Sequence, residues 1–425
     1  MFGKKLLSIV LAVAIAGTTL VGCGKAASKA QNSSDDGNKP VTITFWHTFS
    51  DTEKDVFNKK VLPQFKKKYP NITIKAVAMP TNGLKQQVIQ GVGGNSGPDV
   101  MRMDIVWVPE FAGMGALKDL SGFDGFNDVK SKSYSSCLET ATWKGKYYGV
   151  PQDTNTKVAL YSKAALQEAG LTEAPKTIDD LISAAQKLKD KHKNGLIGVS
   201  GTDAWAMSPL FLSLGGKYTD AKYTKAEGYI NSTKSVEALQ KIVNWNDQGL
   251  IGKCVLNGQP GVWDGIKKGD YLMADDGPWF YSILKDVAKQ KATAAILPKG
   301  EAGSISVVGG EDLVMFNSTK HPQAVWKFMK FMFSKDIQKE MALDADLMPT
   351  NKDAANDSQV TSDPVMKIYV EQMKTAWARI PNPKYEEMND KIQKAFEAAL
   401  RHKGTPKQLL DQLAKDMDSL FSQSK

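Results

Sequence analysis

A chain of 425 residues, 42 % hydrophobic and 24 % charged, is too long for a single core and has the composition of a folded, water-facing protein of two lobes. Its formal net charge of +9 comes from dispersed lysines, with arginine only at positions 102, 379 and 401, so no basic stripe for nucleic acid is expected. Three cysteines exclude a disulfide-stapled scaffold, and His47, His192, His321 and His402 form no ligand-spaced pair, so neither a zinc site nor a cofactor is expected.

The N-terminus reads first. Lys4 and Lys5 precede an apolar run from Leu6 to Val21, which has the length of a secretory signal and is too short for a comfortable membrane span. Leu20-Val21-Gly22-Cys23 resembles the lipobox of bacterial lipoproteins, which makes 1–22 a signal peptide and Cys23 the lipidated residue. Residues 24–40, GKAASKAQNSSDDGNKP, lack apolar periodicity and read as a flexible tether. The expected location is the extracellular face of the cytoplasmic membrane, held by a lipid anchor.

The folded part opens with VTITFWHTF, where Val41, Ile43 and Phe45 alternate with polar or opposite-facing residues as in a strand. A helix is predicted from Asp51 to Tyr69, closed by Pro70, then a strand over 71–77, a helix over 84–92 and a strand ending near Asp104. This alternation predicts an α/β fold with mainly parallel sheets. Further on, Thr177 with Asp180 three residues later signals a capped helix, and 235–249 reads as another, stopped by Gly249. Strands are expected near 158–161, 294–297 and 312–316, and helices over 324–341, 365–377, 385–402 and 407–421. Cys137 and Cys254 could pair outside the cell, but their spacing does not say so.

Several aromatics fall where strands end: Trp46, Trp107, Trp205, Trp279 and Tyr281. Beside them stand His47, Asp104, Asp153, Asn155, Asp275, Asp276, Glu311 and Asp312. In open α/β sheets ligands bind beyond the carboxyl ends of strands. Aromatic rings cover the apolar face of a pyranose, while carboxylates and amides hydrogen-bond its hydroxyls. Each aromatic alone is as readily a core residue as a ligand contact. The combination shifts the reading from core packing towards ligand contact, since core aromatics rarely need acidic neighbours. Asp275 and Asp276 read as residues that position the turn before Gly277-Pro278.

Six stretches in order carry a resemblance: ITFWHTF (43–49), SGPDVMRMDIVW (96–107), YGVPQDTNTKVALYSKAAL (148–166), AWAMSPLFLSLGG (204–216), KKGDYLMADDGPWFYS (267–282) and GGEDLVMF (309–316). From Val41 onward the chain resembles the extracellular solute-binding proteins of ABC sugar importers, the group that includes maltose-binding protein. The resemblance implies a two-lobed periplasmic-binding-protein-like fold of type II, with a ligand cleft between lobes. Lobe 1 would comprise 41–153 and 310–350, lobe 2 154–309 and 351–425, with hinges at the 150–156 and 305–311 crossings. It implies stacking by Trp279 and Tyr281 after the Gly-Pro and by Trp205, shortly before the Pro-Leu of a third strand region. Hydroxyls would be bound by Asp153 and Asn155. Where maltose-binding relatives carry a tryptophan this chain has Met103, with Asp104 and Trp107 nearby, and where they carry a glutamate it has Asn155. Their C-terminal stacking tryptophan has no clear match in ARIPNPKYEEM, where Tyr385 or Glu386 lies instead. Glu311 and Asp312, after two glycines, are candidates for either hinge or cleft wall.

The expected function is capture of an oligosaccharide, of two to four rings by the count of aromatics, and its delivery to an ABC permease by a monomeric, non-enzymatic receptor. The alternatives are a secreted glycosidase, which also needs paired carboxyls beside aromatics, a same-fold binder of an anion or peptide, and a surface scaffold with no small ligand.

Overall fold

Two mixed sheets divide the molecule. The computed structural model describes residues 39–94 and 97–424, so the signal-like run, Cys23 and the tether up to residue 38 lie outside the described residues. The first sheet contains β1 (Val41–His47), β2 (Ile72–Ala78), β3 (Val100–Asp104) and β4 (Gly149–Asn155). The second contains β5 (Val158–Ser162), β6 (Ile197–Gly198), β7 (Met273–Asp276) and β8 (Ala292–Ala295). A ninth strand, β9 (Gly309–Met315), returns to the first sheet, which has the order β2-β1-β3-β9-β4; the second has the order β8-β5-β7-β6.

The expectation of mainly parallel sheets is corrected here. β1 runs parallel to β2 and β3, but β9 is antiparallel to both of its neighbours, β3 and β4. In the second sheet only β6 and β7 are parallel, while β5 is antiparallel to β7 and β8. The reason is the route of the chain. Strands that arrive from the other half need no right-handed helical crossover to reach their neighbour, and that crossover is what makes successive strands parallel. Only Thr156 and Lys157 separate β4 in the first sheet from β5 in the second.

Each sheet is covered by helices whose apolar stripes face it. In the first half Phe45, Phe57, Phe65 and Phe328 are buried and meet at ring separations of 5.2–5.5 Å. In the second half the helix Ile178–Leu188 begins with the predicted capping box between Thr177 and Asp180, and buries Ile178, Leu181, Ala185 and Leu188. Gly249, at φ +71°, follows the helix Thr233–Asp247 as predicted for a C-terminal stop.

Three local expectations change. The single helix over 324–341 is two helices, Pro322–Phe333 and Lys335–Ala345, because Ser334 adopts an extended conformation between them. The region taken as a third strand, around Trp205, is the helix Ala204–Ser213 with Pro209 inside it. It is buried along almost its whole length, so its continuous apolar run mimics a buried strand. The helix over 365–377 ends at Met373, after which Ala376–Trp377 pairs with Ser306–Val307. Cys137 and Cys254 are separate buried thiols. Among the described residues no helix is long and apolar enough to cross a membrane.

Candidate ligand-binding site

The turn at Gly277-Pro278, between β7 and the two aromatics that follow, has a geometric explanation. Along β7 side chains alternate: Asp275 points inward, fully buried, and takes the Lys157 ammonium at 2.6 Å, while Asp276 accepts from Trp263 Nε1 at 2.5 Å and from the Gly277 amide at 2.8 Å. Burial raises the Asp275 carboxyl against the opposing pull of Lys157. Asp276 thus holds the turn, as expected, whereas Asp275 instead anchors the strand to Lys157 at the crossing between the sheets. Gly277 is required because a Cβ there would sit 2.3–2.5 Å from the ring of Trp279, which folds back over it. Pro278 then starts the short helix Trp279–Leu284.

Trp279 meets Trp205 across this turn, with ring centroids 6.1 Å apart and planes at 31°. Both rings are half-buried. Around Trp205 lie two cations, Lys157 Nζ at 5.3 Å and Arg379 at 5.4 Å from the ring centre. Arg379 donates to the Val308 carbonyl at 3.0 Å and reaches Asp104, at the end of β3, at 4.0 Å. Asn155, the last residue of β4, is adjacent: a Cβ on Gly309 would meet Asn155 Oδ1 at 2.1 Å and the Trp205 ring at 3.1 Å. Trp279, Trp205, Asn155 and Asp104 therefore converge where the chain passes between the sheets.

Below them is a buried ion cluster. Arg102 holds Asp153 with both arms, Nε to Oδ1 at 2.9 Å and Nη2 to Oδ2 at 2.7 Å, and also donates to Glu311 at 2.9 Å and to Thr48 at 3.0 Å. Burial works against the Arg102 charge, but Asp153 and Glu311 outweigh it and its pKa rises further. Glu311 is pushed well above the usual carboxylate range, first by burial and then by the neighbouring Asp153 and Asp104 charges, which together outweigh the opposing pull of Arg102. Glu311 keeps a quarter of its side chain exposed and so stays within reach of the crevice.

The other sequence candidates are placed elsewhere. His47 shares its face of β1 with Ile43 and Phe45 and is buried against Phe45, Phe49 and Phe57, at ring distances of 5.4, 4.7 and 6.0 Å. Its role here is packing. Trp46 points to the opposite face and packs near Gly91 of the helix Leu84–Gly93. Asp153 is sealed by Arg102. Asp312 lies on the other face from Glu311, fully buried, with neither carboxyl oxygen hydrogen-bonded among the described residues, and burial raises its pKa well above the usual range. Tyr385 is buried in the second half's core, but it does not lie apart from the site: its hydroxyl is hydrogen-bonded to Arg379 and feels the Asp104 charge, so it backs the residues around Trp205, and burial pushes its pKa up to about 12. Tyr281 follows Trp279 by two positions, which on a helix turns it away. It borders a separate cavity of about 500 Å³ with Lys285 and Tyr369. Trp107 stands at the start of the helix Val108–Gly113 and donates Nε1 to Glu386 at 3.1 Å, a bond between the two halves.

Arg379, Lys157 and Arg102 were missed. Arginine is scarce in this chain, and two of its three sites lie at the crossing. That scarcity was a usable signal, since a planar guanidinium is suited to semi-buried polar contacts where lysine is not.

The fold has counterparts. The galactooligosaccharide-binding protein of Bacillus subtilis is 24 % identical over 418 residues, covering 96 % of this chain and 95 % of its own. The maltotriose-binding protein of Pyrococcus abyssi is 24 % identical, covering 84 % and 77 %. Among solved structures, the GacH receptor of Streptomyces glaucescens, determined unliganded and in complex with acarbose, superposes with a TM-score of 0.75 at 25 % identity, covering 90 % of this chain and 99 % of that one. Similarity of that extent makes the architecture a two-lobed periplasmic-binding-protein fold. Residues 60–368 match the family directly, and this chain belongs to the bacterial extracellular solute-binding proteins.

Proposed function

We propose that the chain captures an oligosaccharide between its lobes and hands it to the permease of an ABC importer. The observation that carries this is the meeting of the Trp205 and Trp279 rings with Asp104 and Asn155 at the inter-sheet crossing. Two aromatic faces offer apolar contact to the C–H face of sugar rings, and the carboxylate and amide offer hydrogen bonds at the rim. The relatives named for maltotriose and galactooligosaccharides support the sugar class. In this reading the chain is a binder and not an enzyme. Of the carboxyls near the rings, Asp153 has both oxygens engaged by Arg102 and Asp312 is sealed, while Asp104 and Glu311, cross-strand neighbours on β3 and β9, are left to accept from sugar hydroxyls.

A ligand drives closure only through differential affinity for the closed form. Trp205 and Trp279 come from one lobe and Asp104 and Glu311 from the other, so a sugar gripped by both sets favours the lobes together. In this reading the hinges lie at 150–156 and 305–311, lobe 1 comprises 41–153 with 310–350, and lobe 2 comprises 154–309 with 351–425. Cys23 would carry a lipid that holds a monomeric receptor at the outer face of the cytoplasmic membrane, with 24–40 as its tether. The test is calorimetry against malto-, galacto- and chito-oligosaccharides. Trp279→Ala should weaken the best ligand by about thirtyfold, as expected for loss of one stacked aromatic worth about 2 kcal/mol, with the melting temperature of the free protein little changed. Undiminished affinity in this variant would remove the crevice from the proposal.

A further inference from the structure

The segment from Arg379 to Glu386 runs along the join between the lobes. At its start Arg379 covers Trp205; at its end Glu386 bonds Trp107. Between these points Pro381 and Asn382 form one wall of a cavity of about 570 Å³. The facing wall belongs to lobe 1: Trp143, in the hairpin of Thr142–Trp143 with Lys146–Tyr147, and Glu139. Tyr223 closes it from lobe 2, its hydroxyl donating to Glu139 Oε2 at 3.1 Å. Three residues of extended chain span about 11 Å at most, so the wall at Asn382 lies within reach of a short oligosaccharide that leaves the Trp205 ring.

The way Tyr223 is held is unusual. Its φ of 54° is in the left-handed region, which a bulky aromatic avoids. The loop fixes it there through Asp220, whose carboxylate accepts from the amides of Lys222, Thr224 and Lys225 and from the Thr224 hydroxyl. A strained residue over-determined by its surroundings is a pointer to function. Here the strain presents an aromatic ring to a cavity that a tryptophan also lines, with Thr142 and Glu139 among its polar groups. Hydroxylated rings are recognised by this combination.

We propose that this cavity is a further sugar-ring subsite of the same crevice, with Trp143 and Tyr223 as its aromatic walls, so that the ligand runs from Trp205 and Trp279 outward along the 379–382 segment. The proposal rests on the reading of the crevice as a carbohydrate site. It makes chain length a determinant of affinity, read by residues from both lobes.

The experiment is calorimetric titration of the full chain with malto-, galacto- and chito-oligosaccharides from disaccharide to hexasaccharide. In the series that binds, wild-type affinity should climb with length, and Trp143→Ala and Tyr223→Ala should each flatten the climb, cutting the long-to-short affinity ratio about tenfold. Trp279→Ala should instead weaken every length. If both cavity variants keep the wild-type length dependence, or lower all lengths alike, the subsite is overturned while the crevice stands. If no length of any series binds the wild type, both fall.

Discussion

His47 illustrates how position decides the chemistry of a residue. It is 2 % exposed, and its Nδ1 accepts from the Phe49 amide, which requires the neutral ring. Burial, aided by the nearby charge of Arg102, pushes its pKa down from 6.5 to about 4. The unfolded chain protonates its histidine first as pH falls, so stability linked to His47 is whole above pH 6.5 and is lost as pH drops towards 4, by about 3 kcal/mol. His47→Phe should flatten this limb of the melting curve against pH; parallel wild-type and variant curves between pH 6.5 and 4 would exclude the assignment. The Arg102–Asp153 pair behaves differently. Both oxygens and both arms are matched, so the two residues form a fixed floor to the crevice, not a mobile contact.

At the scale of elements, the strand-turn-helix over 273–284 decides which aromatic faces the crevice. β7 ends in two acids, of which Asp276 holds the Gly277 amide while Asp275 ties the strand to Lys157, Gly277 leaves room for the returning ring, and the short helix sends Trp279 towards Trp205 and Tyr281 away. Gly277→Ala forces a Cβ into the Trp279 ring, and neither the strand nor Pro278 can yield easily. Affinity for the best oligosaccharide should fall by at least about tenfold, approaching the effect of losing the ring itself, with a smaller drop in thermal stability. Wild-type affinity in this variant, measured calorimetrically, would contradict the claim that the backbone positions the ring.

For the whole molecule the question is what holds the lobes together. Glu386 of lobe 2 accepts from Trp107 Nε1 at 3.1 Å and from Lys85 at 2.6 Å, and Lys85 also meets Glu110 at 2.6 Å within lobe 1. These bonds exist only while the lobes meet at this edge, and the Tyr223–Glu139 bond adds another. Half-exposed ion pairs contribute at most about 1 kcal/mol. Glu386→Ala should therefore weaken ligand by no more than about fivefold and widen the free protein in solution scattering. An unchanged affinity together with an unchanged scattering profile would mean that closure does not draw on this contact.

The alternation of β1, the Thr177 cap and the Gly249 stop were legible because each is a local preference of a few consecutive residues. The inward face of His47 was legible too, since it falls in step with Ile43 and Phe45, but its chemistry drew attention away from its parity. The chain alone thus determined an α/β protein of two halves, its main helices and the aromatics worth testing. Only the tertiary structure decided that β9 would lie antiparallel in the first sheet, that the buried run around Trp205 would be helical, and that Lys157, Arg379 and Trp279 would surround one indole. Those outcomes depend on residues up to about two hundred positions apart meeting once both sheets have formed, and no periodicity within a short window carries that information.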